Sequence, residues 1–488
     1  MTWRDRHVLV AGARRTGISV VDVLLFLGAR VTVADGDPAQ LDTLGDRPVA
    51  RTRELAALPA GCDLVVTSPG FRTDSPLALA ARDASVPMIG EPELAFLLGG
   101  EPEVCPDGPP RWLAVTGTNG KTTTTTMLEA ILRAAGVDAV ACGNIGLPVV
   151  DALRAGHPVL AVELSSFQLE WSPSVRPYAG ALLNLAEDHL DWHGSMAAYG
   201  AAKARVLRGE VAVGGLDDRE AAALLLAAPA PRHVGFTRGA PGPGELGIVD
   251  GRLVDRAFGD RVPLAEVADV APPGPPGEAN ALAAAALARA HGVPPEAVAA
   301  GLRAVAPGAH RGAVVAEAGG VRWVDDSKAT NPHAAAASLA GHDRVVWVAG
   351  GLLKGADVTD LVVAHRGRLA GAVVLGRDRD AVAAALARHA PEVPVRDVGG
   401  GDDGPVSDRA SDTASESMLR AARAAAGLAQ PGDTVLLAPA AASMDMFRDY
   451  AARGDAFAAA ARTVAGGAGP RGAAVPDEAP SPTGGGAA

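Results

Sequence analysis

The sequence predicts three consecutive α/β domains, and three observations carry that expectation. The chain has 488 residues, too many for one ordinary core, so two or three domains are the natural division. Short apolar runs alternate with segments of helical spacing along nearly the whole length, as in strand–helix–strand units that feed parallel sheets. Gly- and Pro-rich stretches, at 99–110 and at Ala306-Pro307-Gly308, cut that pattern into blocks. The expected domains are 1–99, 111–307 and 308–464, with a disordered Gly/Ala/Pro/Ser tail at 465–488.

The first block pairs apolar runs at 8–11 and 31–34 with a helical segment at 16–27, a Rossmann-like βαβ unit, and adds a buried strand at 64–67. In the second, strands are expected at 112–115, 159–163 and 179–184, and helices at 121–134, 196–208 and 280–290. Segments 239–247 and 271–277 read as Pro/Gly loops. The third opens with a hairpin, 313–317 and 321–325, turned by Gly319-Gly320. Strands at 345–349, 372–375 and 434–438 then alternate with alanine-rich helices, a second Rossmann-like pattern.

Composition excludes several classes. Apolar residues make up 48 %, a globular value, and no run approaches the ~18 apolar residues of a membrane span. No signal-peptide core precedes the first strand. Cys62, Cys105 and Cys142 are odd in number and scattered, which suits neither a disulfide framework nor a zinc site and points to a reducing cytoplasm. A net charge of −12 without a basic stripe argues against nucleic acid. A monomer is expected. Of 44 basic residues only four are lysine, Lys121, Lys203, Lys328 and Lys354. In a chain drifted towards arginine, the surviving lysines are candidates for work that needs a compact charge or a deprotonated amine.

The strongest local signal is Val-Thr-Gly-Thr-Asn-Gly-Lys-Thr-Thr at 115–123. A buried strand enters a glycine turn, then Lys-Thr, then a helix, which aims backbone N–H groups and a helix N-terminus at a phosphate. Lys121 is expected on the terminal phosphates of ATP and the Thr122 hydroxyl on magnesium. The central block is therefore read as P-loop-ATPase-like. A full Walker loop needs glycine where Val115 stands, so this is a shortened variant. Glu163 ends a strand, where α/β sheets present chemistry, and suits a hard cation such as Mg²⁺.

The loop Thr-Gly-Thr-Asn-Gly-Lys-Thr-Thr resembles that of the Mur ligases and of the related folylpolyglutamate synthetases, and further motifs follow in the family's order across roughly 460 residues. The resemblance implies ATP binding by Gly117, Thr118, Asn119, Gly120, Lys121, Thr122 and Thr123, with two Mg²⁺ ions. Asp188, His189, Asp191 and His193 could be read as a zinc cluster; the family pattern instead puts His189 on magnesium with Asp188 behind it, and His193 in a structural role. It also implies that Lys203, in Tyr199-Gly200-Ala201-Ala202-Lys203, is carbamylated: a neutral amine can add CO₂ and become a metal-positioning carboxylate, which arginine cannot. Catalytic roles fall to Lys121, Glu163, His189, Lys203 and Arg311, and metal contacts to Thr122, Glu163, His189 and Lys203.

In the third block, Asp-Ser-Lys-Ala-Thr-Asn at 326–331 resembles the version of this motif in the D-glutamate-adding Mur ligases. By that resemblance Asp326 meets the ATP ribose, Arg311 reaches the phosphates as the third block closes onto the second, and Lys328, Thr330, Lys354, Ser443 and Tyr450 hold D-glutamate. Ammonium groups for carboxylates and hydroxyls for orientation suit a dicarboxylic amino acid.

In the first block, Gly12-Ala13-Arg14-Arg15-Thr16-Gly17 after the first strand suggests NAD, but Arg14 stands where a bare glycine must meet the pyrophosphate. The family resemblance instead assigns Arg14, Arg15, Thr16, Gly17, Asp35 and Ser68 to a UDP-sugar, together with Asn144, Ser165 and Gln168. The implied reaction joins D-glutamate to UDP-N-acetylmuramoyl-L-alanine through an acyl phosphate, for peptidoglycan.

Two segments depart from the family. Gly274-Pro275-Pro276-Gly277-Glu278-Ala279-Asn280 keeps only the first glycine and last asparagine of the adenine-side motif, so Asn280 alone is assigned to ATP there. Val213–Asp218 lacks the asparagine expected before its two aspartates. A folylpolyglutamate-synthetase-like ligase, a nicotinamide-dependent oxidoreductase and a non-catalytic nucleotide-binding paralogue stay open as alternatives.

Overall fold

The computed structural model describes residues 3–306, 308–399 and 408–466. They form three sheets in two compact units, divided between Gly308 and Ala309. The expected tail lies outside the described residues, except that 465 and 466 complete the helix Tyr450–Gly466.

The first sheet contains β1 (His7–Ala11), β2 (Arg30–Ala34), β3 (Ala50–Thr52), β4 (Leu64–Thr67) and β5 (Met88–Gly90), in the order β3-β2-β1-β4-β5. Every pairing is parallel. All five residues of β1 are buried, as a strand covered on both faces requires. Strand order reverses between β1 and β4, which places the turns after them at a switch point.

The second sheet holds β6 (Arg111–Thr116), β7 (Ala139–Gly143), β8 (Val159–Glu163), β9 (Ala179–Leu182), β10 (Val211–Gly215), β11 (Arg232–Phe236), β12 (Glu245–Val249), β13 (Arg252–Asp255) and β14 (Val262–Glu266). In the order β14-β13-β12-β11-β10-β9-β6-β8-β7, β6 lies between β8 and β9. One apolar core runs from Val8 and Leu24 under the first sheet to Trp112 and Val162 in the second, so the two pack as one unit.

Two segments expected as loops are more regular than the sequence suggests. β12 begins inside the Gly-rich stretch, and Gly247 pairs with Val254 across the ladder. The helix expected from 280 instead begins at Pro275. Proline is tolerated in a first helical turn because its missing N–H has no partner there. A Cβ on Gly277 would sit 1.8 Å from the Pro272 carbonyl oxygen. Gly277→Ala is expected to cost ~1–3 kcal/mol, seen as a lowered melting temperature.

The second unit's sheet contains β15 (Ala313–Ala318), β16 (Val321–Asp325), β17 (Val345–Ala349), β18 (Leu369–Val374), β19 (Val395–Asp397) and β20 (Thr434–Leu437), in the order β15-β16-β20-β17-β18-β19. The β15–β16 hairpin is antiparallel and the other pairs are parallel. Among the described residues no helix is long and apolar enough to cross a membrane.

Candidate active site

The phosphate loop leaves β6 and enters the helix Lys121–Ala134. Gly120 sits at φ 86°, and a Cβ there would meet Asn280 Oδ1 at 2.2 Å. Asn280 is buried and accepts from Thr124 Oγ1 at 3.3 Å. Its side chain therefore packs under the loop in this structure. Asn184, just beyond β9, buttresses the other side: its Oδ1 accepts from the Asn119 amide at 2.9 Å, and its Nδ2 donates to Asn119 O at 3.1 Å. Thr118 Oγ1 takes the Ala186 amide at 3.0 Å and lies 3.1 Å from Tyr199 Oη. Thr122 and Thr123 are half-buried in the first helical turn.

Three neighbouring strands, β8, β6 and β9, end together, and their C-termini deliver Glu163, the loop and Asn184. Lys121 Nζ donates to Gly117 O and Thr118 O, both at 2.8 Å. Lys203, on the helix Met196–Ala204, is 1 % exposed and donates to the same Gly117 carbonyl at 2.7 Å. Two lysines therefore share one oxygen. Burial is the main cause that holds the Lys203 amine well below its ordinary pKa; Lys121 lowers it further, while Asp188 and Glu163 oppose the shift. The Tyr199 ring lies 4.7 Å from the Lys203 amine. Burial pushes the Tyr199 hydroxyl up.

Glu163 Oε1 accepts from Asn144 Nδ2 at 2.8 Å, while the buried Oε2 has no hydrogen-bond partner. A buried carboxylate oxygen without a donor fits a hard dication. His189 has φ 54°, lies against the Phe167 ring at 4.7 Å, and puts Nε2 3.5 Å from Asp188 Oδ2. His193 stacks on Phe167 and lies 2.9 Å from Ser166 Oγ; burial lowers it to about 4. That is a packed histidine. Among the described residues no three His, Cys, Asp or Glu side chains group as metal ligands.

The turns after β1 and β4 meet. A Cβ on Gly12 would touch Ser68 Oγ at 2.1 Å, and one on Gly17 would meet Gly12 O at 1.9 Å. Asp35 Oδ2 accepts from the Ala13 amide at 2.8 Å, which holds the loop from the end of β2. Arg14 and Arg15 are exposed. Thr16 and Gln168 line one small cavity with Thr67, Pro69 and Trp171. Ser165 and Gln168 close a capping box on the helix Ser166–Glu170.

In the second unit, loops after the adjacent strands β16, β20 and β17 carry the expected residues. The Asp326 amide donates to Leu437 O, and Gly350 N to Pro439 O, each at 2.9 Å. Lys328 Nζ donates to Tyr450 Oη at 3.1 Å and lies 4.5 Å from its ring. Buried Arg453 ties this loop to the next: Nη2 donates to Ser327 O at 2.8 Å, Nε to Ser327 Oγ at 3.0 Å, and Nη1 to Ala441 O at 2.9 Å. Ser443 is buried two residues on. The Thr330 amide donates to Lys328 O. Lys354 is exposed, at φ 54° in the turn after β17. Burial raises the Asp326 carboxyl to about 6, against Ser338 and the Arg311 charge.

Sequence reasoning did not assign roles to Asn184, Tyr199 or Arg453. Rarity singles out Asn184 as one of five asparagines, without giving it a role, and the same signal applies to Tyr199, one of three tyrosines.

The Mur ligase middle domain matches residues 115–243, and the Mur ligase glutamate ligase domain matches 310–441. UDP-N-acetylmuramoylalanine–D-glutamate ligase from Rhodococcus jostii is 56 % identical over 477 residues, covering 93 % of this chain and 94 % of that protein. The protein of the same name from Mycobacterium tuberculosis H37Rv is 55 % identical over 477 residues, covering 94 % and 96 %. In fold, the chain resembles UDP-N-acetylmuramate–alanine ligase from Thermotoga maritima, with TM-score 0.56 at 18 % identity over 94 % of this chain and 99 % of that one. MurF from Acinetobacter baumannii aligns with TM-score 0.53 at 19 % identity, covering 88 % and 89 %. On the domain matches and on identity carried through nearly the whole length, the chain belongs to the Mur ligase family, beside its D-glutamate-adding members.

Proposed function

We propose that the chain joins D-glutamate to UDP-N-acetylmuramoyl-L-alanine with hydrolysis of ATP to ADP and phosphate, in peptidoglycan precursor synthesis in the cytoplasm, as a monomer. The observation that carries this reading is identity above one half along nearly the full length of D-glutamate ligases. The domain roles follow: 1–99 for the sugar nucleotide, 111–307 for ATP and 308–464 for the amino acid.

The alanyl carboxylate oxygen attacks the γ-phosphorus of ATP, the bond to the bridging oxygen breaks, and ADP leaves. The D-glutamate amine then adds to the acyl carbon of the acyl phosphate. The tetrahedral adduct loses its amine proton and expels inorganic phosphate as the amide forms. Catalysis of such a transfer is chiefly positioning and charge stabilisation. Lys121 exchanges Gly117 O and Thr118 O for phosphate oxygens. Asn184 and Asn119 keep the loop open to the phosphates. The resident dication would be Mg²⁺, held by Glu163 with Thr122, His189 and the carbamate of Lys203, and would supply positive charge to the transferring group. Formation of the carbamate joins the neutral Lys203 amine to CO₂ and releases one N–H proton. The orphaned Glu163 Oε2 and the buried amine support that ligand set.

Lys328, hydrogen-bonded to Tyr450, is assigned to a D-glutamate carboxylate with Thr330, Ser443 and Lys354. Lys328→Met is expected to raise KM for D-glutamate at least about tenfold, with far smaller changes in KM for ATP and the sugar nucleotide, in steady-state kinetics. The function itself is tested by phosphate release from ATP, with the sugar nucleotide and D-glutamate omitted in turn. Release is expected only with both present; turnover indifferent to D-glutamate would count against ligation.

A further inference from the structure

The helix Glu91–Leu98 begins with two buried carboxylates, Glu91 and Glu93, each 2 % exposed. Glu93 is fully used: its oxygens accept from the Ser174 amide at 3.0 and 3.2 Å, from the Val175 amide at 3.2 Å and from Ser174 Oγ. Glu91 is not. Its Oε1 accepts from the Val150 amide at 2.7 Å, but its Oε2 is buried without a hydrogen-bond partner.

A buried carboxylate oxygen without a donor is costly, so it needs a reason to persist. Burial pushes this carboxyl up to about 7, against the backbone amides of Val150 and Val149, with the nearby charge of Asp151 adding to the rise. Glu91 lines the small cavity that also takes in Thr16, Thr67, Pro69, Gln168 and Trp171. Thr16 and Gln168 belong to the assigned sugar-nucleotide set. Pro69 follows Ser68, whose hydroxyl lies against Gly12 in the neighbouring turn. Glu91 thus lines a small cavity beside the sheet's switch point, with its Oε2 buried behind that lining.

We infer that Glu91 is a specificity-determining residue of the sugar-nucleotide site, whose Oε2 accepts a hydrogen bond from an N–H or O–H group on the sugar–peptidyl half of the substrate. The inference rests on the sugar-nucleotide reading above. Glu93 supplies the contrast: both helix carboxylates anchor backbone amides of the second sheet's layer, but Glu93 has both oxygens hydrogen-bonded, whereas Glu91 lines a cavity and its Oε2 has no hydrogen-bond partner.

Glu91→Gln tests this at one atom. The Val150 amide needs an acceptor, so the glutamine oxygen must face it, and the NH₂ group then replaces Oε2. An acceptor becomes a donor with almost no change of shape. Dissociation constants would be measured by calorimetry for UDP-N-acetylmuramoyl-L-alanine and for UDP alone. The expected result is at least a tenfold weaker Kd for the full ligand, with UDP changed less than about twofold. An unchanged Kd for the full ligand would overturn the inference, and so would an equal loss for UDP, which would place the disturbance in the nucleotide loops. Failure of the unaltered chain to bind the full ligand would sink the ligase reading instead. A crystal structure of the unaltered chain with the same ligand does not depend on the variant folding. A ligand donor within about 3.2 Å of Oε2 is expected, and a water or no ligand donor there overturns the proposal.

Discussion

Lys203→Arg is expected to leave ligase activity below about one thousandth of the unaltered enzyme. Lys203 has 1 % exposure and its amine is held well below the ordinary lysine range, with Lys121 close enough to disfavour a second charge. A guanidinium stays protonated there, cannot add CO₂, and brings more volume into a filled site. Lys203→Ala leaves space instead of charge, and acetate or formate is expected to restore part of its activity by supplying the missing carboxylate oxygens. The measurement is phosphate release with both co-substrates, alongside a melting curve to separate misfolding from lost chemistry. An arginine variant with full turnover would remove the carbamate from the mechanism, whereas an alanine variant unmoved by formate would leave Lys203 a packing or hydrogen-bonding role.

Lys121→Ala is expected to lower kcat by about 10²–10⁴-fold with the fold retained. The side chain is only half-buried, and the loop keeps its other supports, the Asn119–Asn184 pair and the Thr118 contacts. Its ammonium group donates to Gly117 O and Thr118 O, so the alanine variant loses these bonds as well as the phosphate contact. If the charge acts mainly on the transferring phosphoryl group, kcat falls far more than the affinity for ADP. Equal losses in ADP affinity and in kcat would make Lys121 a ground-state anchor.

Both lysines stand out before any coordinates, because the chain keeps four lysines among 44 basic residues. The phosphate loop is legible for a similar reason: Gly117, Gly120, Lys121 and the flanking strand and helix are contiguous, and local backbone chemistry shapes the turn. Glu163 is legible as the polar end of an apolar run. Tyr199 and Asn184 are harder to assign, since their work lies in contacts with Thr118 and Asn119, 81 and 65 residues away in sequence. Glu91 is less legible still. In sequence it and Glu93 look alike, and only the partners supplied by Val150, Ser174 and Val175 separate them.

The sequence by itself determined the α/β class, the positions of most strands, the phosphate turn and the family resemblance. Each depends on residues close together along the chain, where periodicity, glycine and helix-start chemistry act directly. Tertiary structure decided which side chains share an atom or a cavity. It brought Lys121 and Lys203 to one carbonyl, left Glu163 Oε2 and Glu91 Oε2 without donors, packed Asn280 under Gly120, and extended a helix back to Pro275. Those outcomes depend on strand order and burial, because removing a charge from water and withholding its partner are consequences of packing between distant segments.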